Sequence, residues 1–600
     1  MSTLNPLPHW DMTVVYPSMD SKEFDEGFSS VVHDINDLAA LFDAHHIMKQ
    51  SSVPALNHDT IQAFEKVIER YNAVLEATKT LNSYITCFVT TNSHDTVAQA
   101  KLSELQQTTM ILTQLGTRLT AWIGSVDVEA LIERSSVARE HAFMLRKAKI
   151  RAAHLMSPAE ENLSSELNLS GGTAWEKLHG DVTSQLTVSL ELAGKVQELP
   201  MSMVRNLASD PDREVRRRAY EAELEGWKRV ALPLAAALNS IKGEVNVLTK
   251  RRGWGSPLGA SLLDNNIDPQ TLNAMFSAAR ESFPDFRRYL HAKARTLDQP
   301  RLAWYDLFAP VSNDEKVWEY DDAAVFIIEQ FGTFSPRLSN FAARAFREHW
   351  IDAEPREGKQ DGAYCTPLRK DESRVFANYK ASYDGMSTLA HELGHGYHNL
   401  NLAQRTVLQR STPMVLAETA SIFCETIIRN AALQDAGRQE QIAILEASLQ
   451  GACQVVVDIT SRFLFEQRVF NQRRQRELSI DELNNLMLEA QRETYDDGLD
   501  ENALHPYMWA MKPHYYSSKL SFYNYPYMFG LLFGLGLYAR YKENAEEFKA
   551  SYDELLSSTG LADAATLAEQ FGIKIRSADF WRSSLDVVRQ DIERFEELTR

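Results

Sequence analysis

The chain is 600 residues long, 44% hydrophobic and 24% charged, the composition of an ordinary globular protein long enough to divide into more than one lobe. Its formal net charge of −19, with no long run of Lys and Arg to offset it locally, argues against nucleic acid and anionic membrane surfaces as partners. Four scattered cysteines, Cys87, Cys365, Cys424 and Cys453, form no C-x-x-C pair, which predicts reduced thiols in a cytoplasmic protein.

The opening segment, MSTLNPLPHWDMTVVYP, has neither a basic stretch nor a sustained apolar run, so no secretion signal is expected. From Thr60 to Val89, from Thr96 to Ile123 and from Asp212 to Trp254, apolar residues recur at spacings of three and four. That period predicts long amphipathic helices. The first 180 or so residues carry no catalytic constellation of their own, and the division expected is a helical lobe over residues 1–185 covering the site and a catalytic part over 186–600. Alternation over Leu186–Leu192 predicts a strand, and the β-rich runs on either side of a charged turn between Gly362 and Tyr383 predict a hairpin. Leading into it, Gly358–Tyr364 is read as an edge strand able to hold an extended peptide by strand addition.

Next comes STLAHELGHGYHNLN, Ser387–Asn401. Asp384 is the expected helix cap, with Ser387 three residues on. His391 and His395 stand four apart, so they project from one face about a turn apart and can share a metal ion. Glu392 points about 100° around the helix, where it can take a proton from a metal-activated water without occupying the coordination sphere. Gly394 and Gly396 each cost a helix about 1 kcal/mol relative to Ala, which implies a close approach to the backbone there.

A catalytic zinc needs a third protein ligand, and two residues compete. His398 lies on the face of His391, but seven residues is about 10.5 Å of rise, too far for easy convergence on one ion. Glu418 follows Pro413 at a helix start and stands among apolar residues, where an unpaired carboxylate is costly and a metal would account for it. Glu425, one heptad later, is placed to hydrogen-bond a ligating histidine. The stretch Tyr527–Tyr541 is shorter than the roughly 20 residues a membrane span needs and reads as a core helix.

In these residues the sequence resembles the oligoendopeptidase F branch of the thimet-type zinc oligopeptidases. The likeness runs through HWDMTVVYP, SGGTAWEKLHGD, DREVRRRAYEAELEGW, LNSIKG before RRGW, GAYCTPL with FANY, STLAHELGHGYH, ETASIFCE and SFYNYPYMFG. It implies an all-α metallopeptidase with a small hairpin near the site, shaped as two helical lobes around a deep channel, and acting on short peptides. One zinc ion per chain would sit on His391, His395 and Glu418, with Glu392 as general base. The resemblance further implies a histidine and a tyrosine from the segment beginning at His514 to stabilise the oxyanion. His514 and Tyr527 take those places, although SSK replaces a Gly-rich turn and the tyrosines at 516, 523, 525 and 527 permit more than one register. The expected activity is cytoplasmic zinc-dependent endoproteolysis of oligopeptides. Two alternatives stand beside it: a zinc exopeptidase acting on one peptide end, and a non-catalytic helical peptide-binding scaffold, against which the presence of Glu392 argues.

Overall fold

Asn57 and Asp95 each precede a long apolar-periodic run, and their side chains accept from the backbone N–H of Thr60 and Ala98, both at 2.9 Å. These caps start the helices His58–Thr91 and Thr96–Ser125 in a computed structural model that describes residues 6–50, 53–192, 194–312 and 316–600. Together with Lys22–Ala44 they bury one hydrophobic cluster running from Met12 to Ala148, joined by Leu368 from far along the chain. A second cluster runs from Leu186 to Phe595. Each fully buried side chain of the type of Phe64 or Phe423 contributes about 1.5–3 kcal/mol, so each cluster is held by many such terms. Among the described residues the fold is mainly helical with two small sheets.

The helices Pro158–Ser170 and Gly172–Ser184 are fastened to the second body. Glu244, on the 39-residue helix Arg213–Arg251, accepts from Asn168 Nδ2 at 2.5 Å and from the Gly172 N–H at 2.7 Å. The expected strand at Leu186–Leu192 is Thr187–Leu192, and it pairs antiparallel with Lys195–Pro200, which the sequence reading did not include.

The second sheet has the order Ile351–Asp352, Glu372–Phe376, Tyr364–Arg369, the last two antiparallel and the first pair parallel. The edge strand therefore begins at Tyr364, and the expectation of a strand over Gly358–Tyr364 is corrected. Residues 358–363 form a loop pinned to the first body, where the Gly358 carbonyl accepts from Ser93 N–H at 2.7 Å and the Thr90 carbonyl from Gln360 N–H at 2.9 Å. With those backbone groups engaged, the loop cannot add to a ladder. The edge strand is itself held to the first body, with Thr90 Oγ1 2.7 Å from the Tyr364 hydroxyl.

A second connection is tighter. Residues 403–413 join the end of helix Tyr383–Leu402 to the start of Met414–Ala417, and side chains and one backbone carbonyl of the first body grip them. Asn72 Oδ1 accepts from Leu408 N–H at 3.0 Å, His141 Nε2 lies 3.0 Å from Thr406 Oγ1, and Gln409 donates to the Glu140 carbonyl at 2.9 Å. Arg410 completes the clasp with an ion pair to Glu76 at 3.0 Å.

Candidate metal centre

Helix Tyr383–Leu402 is capped by Ser382, whose side chain accepts from Gly385 N–H at 3.2 Å, and not by Asp384, which falls inside the first turn. The four-residue spacing then sets the rings of His391 and His395 with centroids 5.0 Å apart. Glu418 occupies the break between Met414–Ala417 and Thr419–Asp435, with φ −86° and ψ 6°. Its Oε2 lies 3.3 Å from Nε2 of each histidine, and the three ligand atoms all fall within 4.8 Å of one another. Ser421 Oγ donates to the same oxygen at 2.7 Å.

Glycine makes this convergence possible. A Cβ on Gly394 would sit 2.6 Å from Ser421 Cα and 2.7 Å from the Ala420 carbonyl, so the helix carrying Glu418 can approach only a bare backbone. Gly530 plays the same part for helix Tyr525–Glu543, where a Cβ would sit 2.8 Å from Glu418 Cβ. A paired substitution tests this. Gly394→Ala should lower stability by about 1–3 kcal/mol through overpacking against backbone that cannot yield. Gly451→Ala, on an exposed helical position with nothing within 4 Å, should raise it by up to about 1 kcal/mol. Thermal unfolding of the two variants reads the opposite signs.

The donor set suits a divalent ion. Two imidazole nitrogens and one carboxylate oxygen meet at a point, with an outer carboxylate behind them, since His391 Nδ1 lies 3.1 Å from Glu425 Oε2. Burial alone would depress His391, but Glu418 and Glu425 outweigh it and raise the imidazole to about 10. For Glu418, burial pushes the other way and is overcome by His391 and His395, which hold the carboxyl far below its usual range. Both shifts report a place that favours positive charge. Glu392 is 6% exposed, and its Oε2 has no hydrogen-bond partner. Burial raises its pKa, against the pull of His391 and His395. An orphaned carboxylate oxygen next to the ligands is what a general base awaiting water requires.

His398 is not part of the converging set. It is buried, its Nε2 lies 2.9 Å from Thr559 Oγ1, and burial, then the neighbouring His395, lower it to about 4, so it is held neutral.

A cavity of about 490 Å³ is lined by His391, Glu392, His395 and Glu418 on one side and Tyr364 and Cys365 of the edge strand on the other. A second, of about 700 Å³, lies between the bodies, with Tyr71 and Lys147 on one wall and Trp254 and Tyr523 on the other. Ser411 and Thr412 line both, so the clasped loop borders the two cavities.

Of the four tyrosines, two are bound up in the core. Tyr516 is fully buried and stacks on His179, and Tyr525 donates to the Ser261 carbonyl at 3.1 Å. Tyr523 and Tyr527 remain, their hydroxyls 2.6 Å apart. Tyr527 precedes Gly530 by three residues, on the helix face that meets Glu418, and the Glu418 charge adds to burial and Tyr523 in raising its phenol. His514 lies a layer behind, its Nε2 accepting from Asn524 Nδ2 at 2.7 Å and its ring 5.7 Å from that of Tyr523. Burial, aided by Arg462, Lys242 and Lys512, lowers it to about 3 and keeps it neutral. The structure thus brings His391, Glu392, His395 and Glu418 to one cavity, sets Tyr527 on the neighbouring helix that packs against Glu418, and holds His514 behind Tyr523. Ser421, Asn524 and the clasped loop were not singled out in the sequence; their contacts are made across folds of the chain that no local spacing encodes.

Comparison with known proteins shows the family. Residues 206–587 match the model of peptidase family M3, and residues 123–187 match that of oligopeptidase F. An oligoendopeptidase F homolog of Lactococcus lactis subsp. lactis is 22% identical over 602 residues, covering 98% of this chain and 97% of its own. The group B oligopeptidase PepB of Streptococcus agalactiae is 25% identical over 457 residues, 74% of each chain. Among solved structures, oligoendopeptidase-F from Enterococcus faecium superimposes with a TM-score of 0.69 at 17% identity, over 97% of this chain and 99% of its own. With one family model spanning well over half its length, the chain belongs to peptidase family M3.

Proposed function

We propose that this peptidase is a zinc-dependent oligoendopeptidase that cuts internal bonds of short peptides in the cytoplasm. The observation that carries the reading is the meeting of His391, His395 and Glu418 beside the buried, unpartnered Oε2 of Glu392. One zinc ion, held by those three residues, would supply Lewis-acid polarisation of the scissile carbonyl and acidify the attacking water. Glu392 takes the water's proton, helped by the raised pKa that burial gives it, and delivers it to the leaving amine. The Tyr527 hydroxyl, oriented by Tyr523, donates to the developing oxyanion, and His514 holds Tyr523 from behind through its ring and Asn524. The cytoplasmic assignment is supported by four unpaired cysteines.

We also propose that residues 1–185 act as a lobe over the channel, a reading supported by the cavity shared between the two hydrophobic bodies. A peptide must thread beneath it. Folded proteins would have to unfold a segment first, at a cost comparable to much of their roughly 5–15 kcal/mol of stability, whereas short peptides lose mainly chain entropy. The same cleavable sequence, offered as a free peptide, within a long disordered chain and in a loop of a stable domain, should be cut readily, slowly and not at all. Metal analysis with mass-spectrometric mapping of cuts in a mixed peptide pool tests the chemistry; cuts only one or two residues from one end would replace the endopeptidase by the exopeptidase.

A further inference from the structure

A third cavity, of about 370 Å³, shares no lining residue with either of the two described above. It sits wholly in the second body. Helix Arg438–Cys453 continues through a π turn, Gln454–Asp458, into Ile459–Arg473, and that turn sets Gln454 and Asp458 in the cavity wall. A π turn costs hydrogen-bond geometry and is found disproportionately where a helix serves a ligand.

The polar groups around this cavity are incompletely matched. Glu223 receives Trp227 Nε1 at 3.1 Å and approaches Arg205 Nε and His505 Nε2, each at 3.4 Å, but all three contacts fall on Oε1 and leave Oε2 without one. His505 is 1% exposed, and its Nδ1 has no partner. Arg462 pairs with Asp458 one turn away, yet its buried Nε is unpartnered. The Lys512 ammonium makes no hydrogen bond or ion pair among the described residues; burial, then Arg462, lowers it to about 8. The buried orphans among these, His505 Nδ1 and Arg462 Nε, are costly unless something else completes them, and Glu223 and Lys512, which are only partly buried, line the same cavity.

The arrangement selects the occupant's charge. Lys512 and Arg462 offer donors to a carboxylate, while the free oxygen of Glu223 would repel a plain anion and attract an ammonium. The same wall carries the aromatic rings of Tyr220, Trp304 and Tyr305, with Phe308, 37% exposed, among its lining residues. We propose that this cavity binds a small zwitterion, a free amino acid or a dipeptide, with its carboxylate on Lys512 and Arg462, its ammonium on Glu223 and its side chain against the aromatic wall. Such molecules are the end products of peptide hydrolysis. Lys512 stands two residues before His514, so an occupant would bear on the segment behind Tyr523.

Isothermal titration calorimetry on the full-length, metal-loaded protein tests this without turnover, so it can fail independently of the peptidase reading. The probes are L-phenylalanine, glycyl-L-phenylalanine, phenylacetate, phenethylamine and inorganic phosphate. The two zwitterions should bind with Kd about 1 mM or tighter, and the single-charge analogues about tenfold or more weakly. Lys512→Met and the near-isosteric Glu223→Gln should each weaken L-phenylalanine by about 10- to 100-fold, whereas His391→Ala should leave it unchanged. Phosphate or phenylacetate binding better than the amino acid would overturn the zwitterion assignment. Absence of saturable binding, or binding lost in His391→Ala and kept in Lys512→Met, would overturn the site. The analogue series needs no variant and stands even where one fails to fold.

Discussion

Glu392→Gln is expected to retain one bound metal ion and the wild-type melting profile while kcat falls by about 10²- to 10⁴-fold, the range a positioned general base supplies. The variant keeps His391, His395 and Glu418 in place and keeps the size and hydrogen-bonding reach of the side chain. It removes only the proton acceptor. The pH profile gives an independent reading. Because burial raises the Glu392 carboxyl above its ordinary range, and the residue acts when deprotonated, activity should fall on acidification before an ordinary carboxylate of pKa about 4.3 would titrate. Turnover near wild type in the metal-loaded variant would remove Glu392 from the mechanism.

Glu418→Ala should cost metal affinity well beyond the 10- to 100-fold that removing an outer-shell partner typically costs, because two imidazoles alone leave half of a tetrahedral site to solvent. His398→Ala should stay within about 10- to 100-fold. That histidine is buried and hydrogen-bonded to Thr559, so it steadies the packing beside the ligands without joining the converging set. Chelator competition on the two variants decides between them. Metal lost from His398→Ala and retained by Glu418→Ala would exchange their roles.

The helices and the motif were legible because their signals are local. Apolar residues at three and four mark the long helices of the first body, and the spacing of His391 and His395 sets two rings on one face whatever surrounds them. The glycines at 394 and 396 likewise announce close packing, and Ser421 and Phe341 are what approaches. Local signals ended where partners come from elsewhere. Ser382 takes the cap from Asp384 because Asp384 already lies inside the helix, a two-residue difference that composition cannot resolve. Gly358–Ala363 has the makings of a strand, but its backbone is claimed by Ser93 and Thr90 of the first body. The choice among Tyr516, Tyr523, Tyr525 and Tyr527 depended on which rings are enclosed by His179 and Ser261, residues some 260 to 340 positions earlier.

The clasped connection at residues 403–413 ties the helix bearing His391 and His395 to the one bearing Glu418, and Asn72, Glu76, Glu140 and His141 hold it from the first body. On the proposed reading of the first body as a lobe over the channel, this connection couples ligand spacing to the position of that lobe. By reciprocity, whatever free energy an ion gains from the closed arrangement must reappear as added preference for closure once the ion is bound. An enzyme that opens to admit peptide is then expected to grip its metal less firmly during each opening, so the rate at which a chelator strips the ion becomes a clock for lobe motion, and a peptide held in the channel should slow that clock.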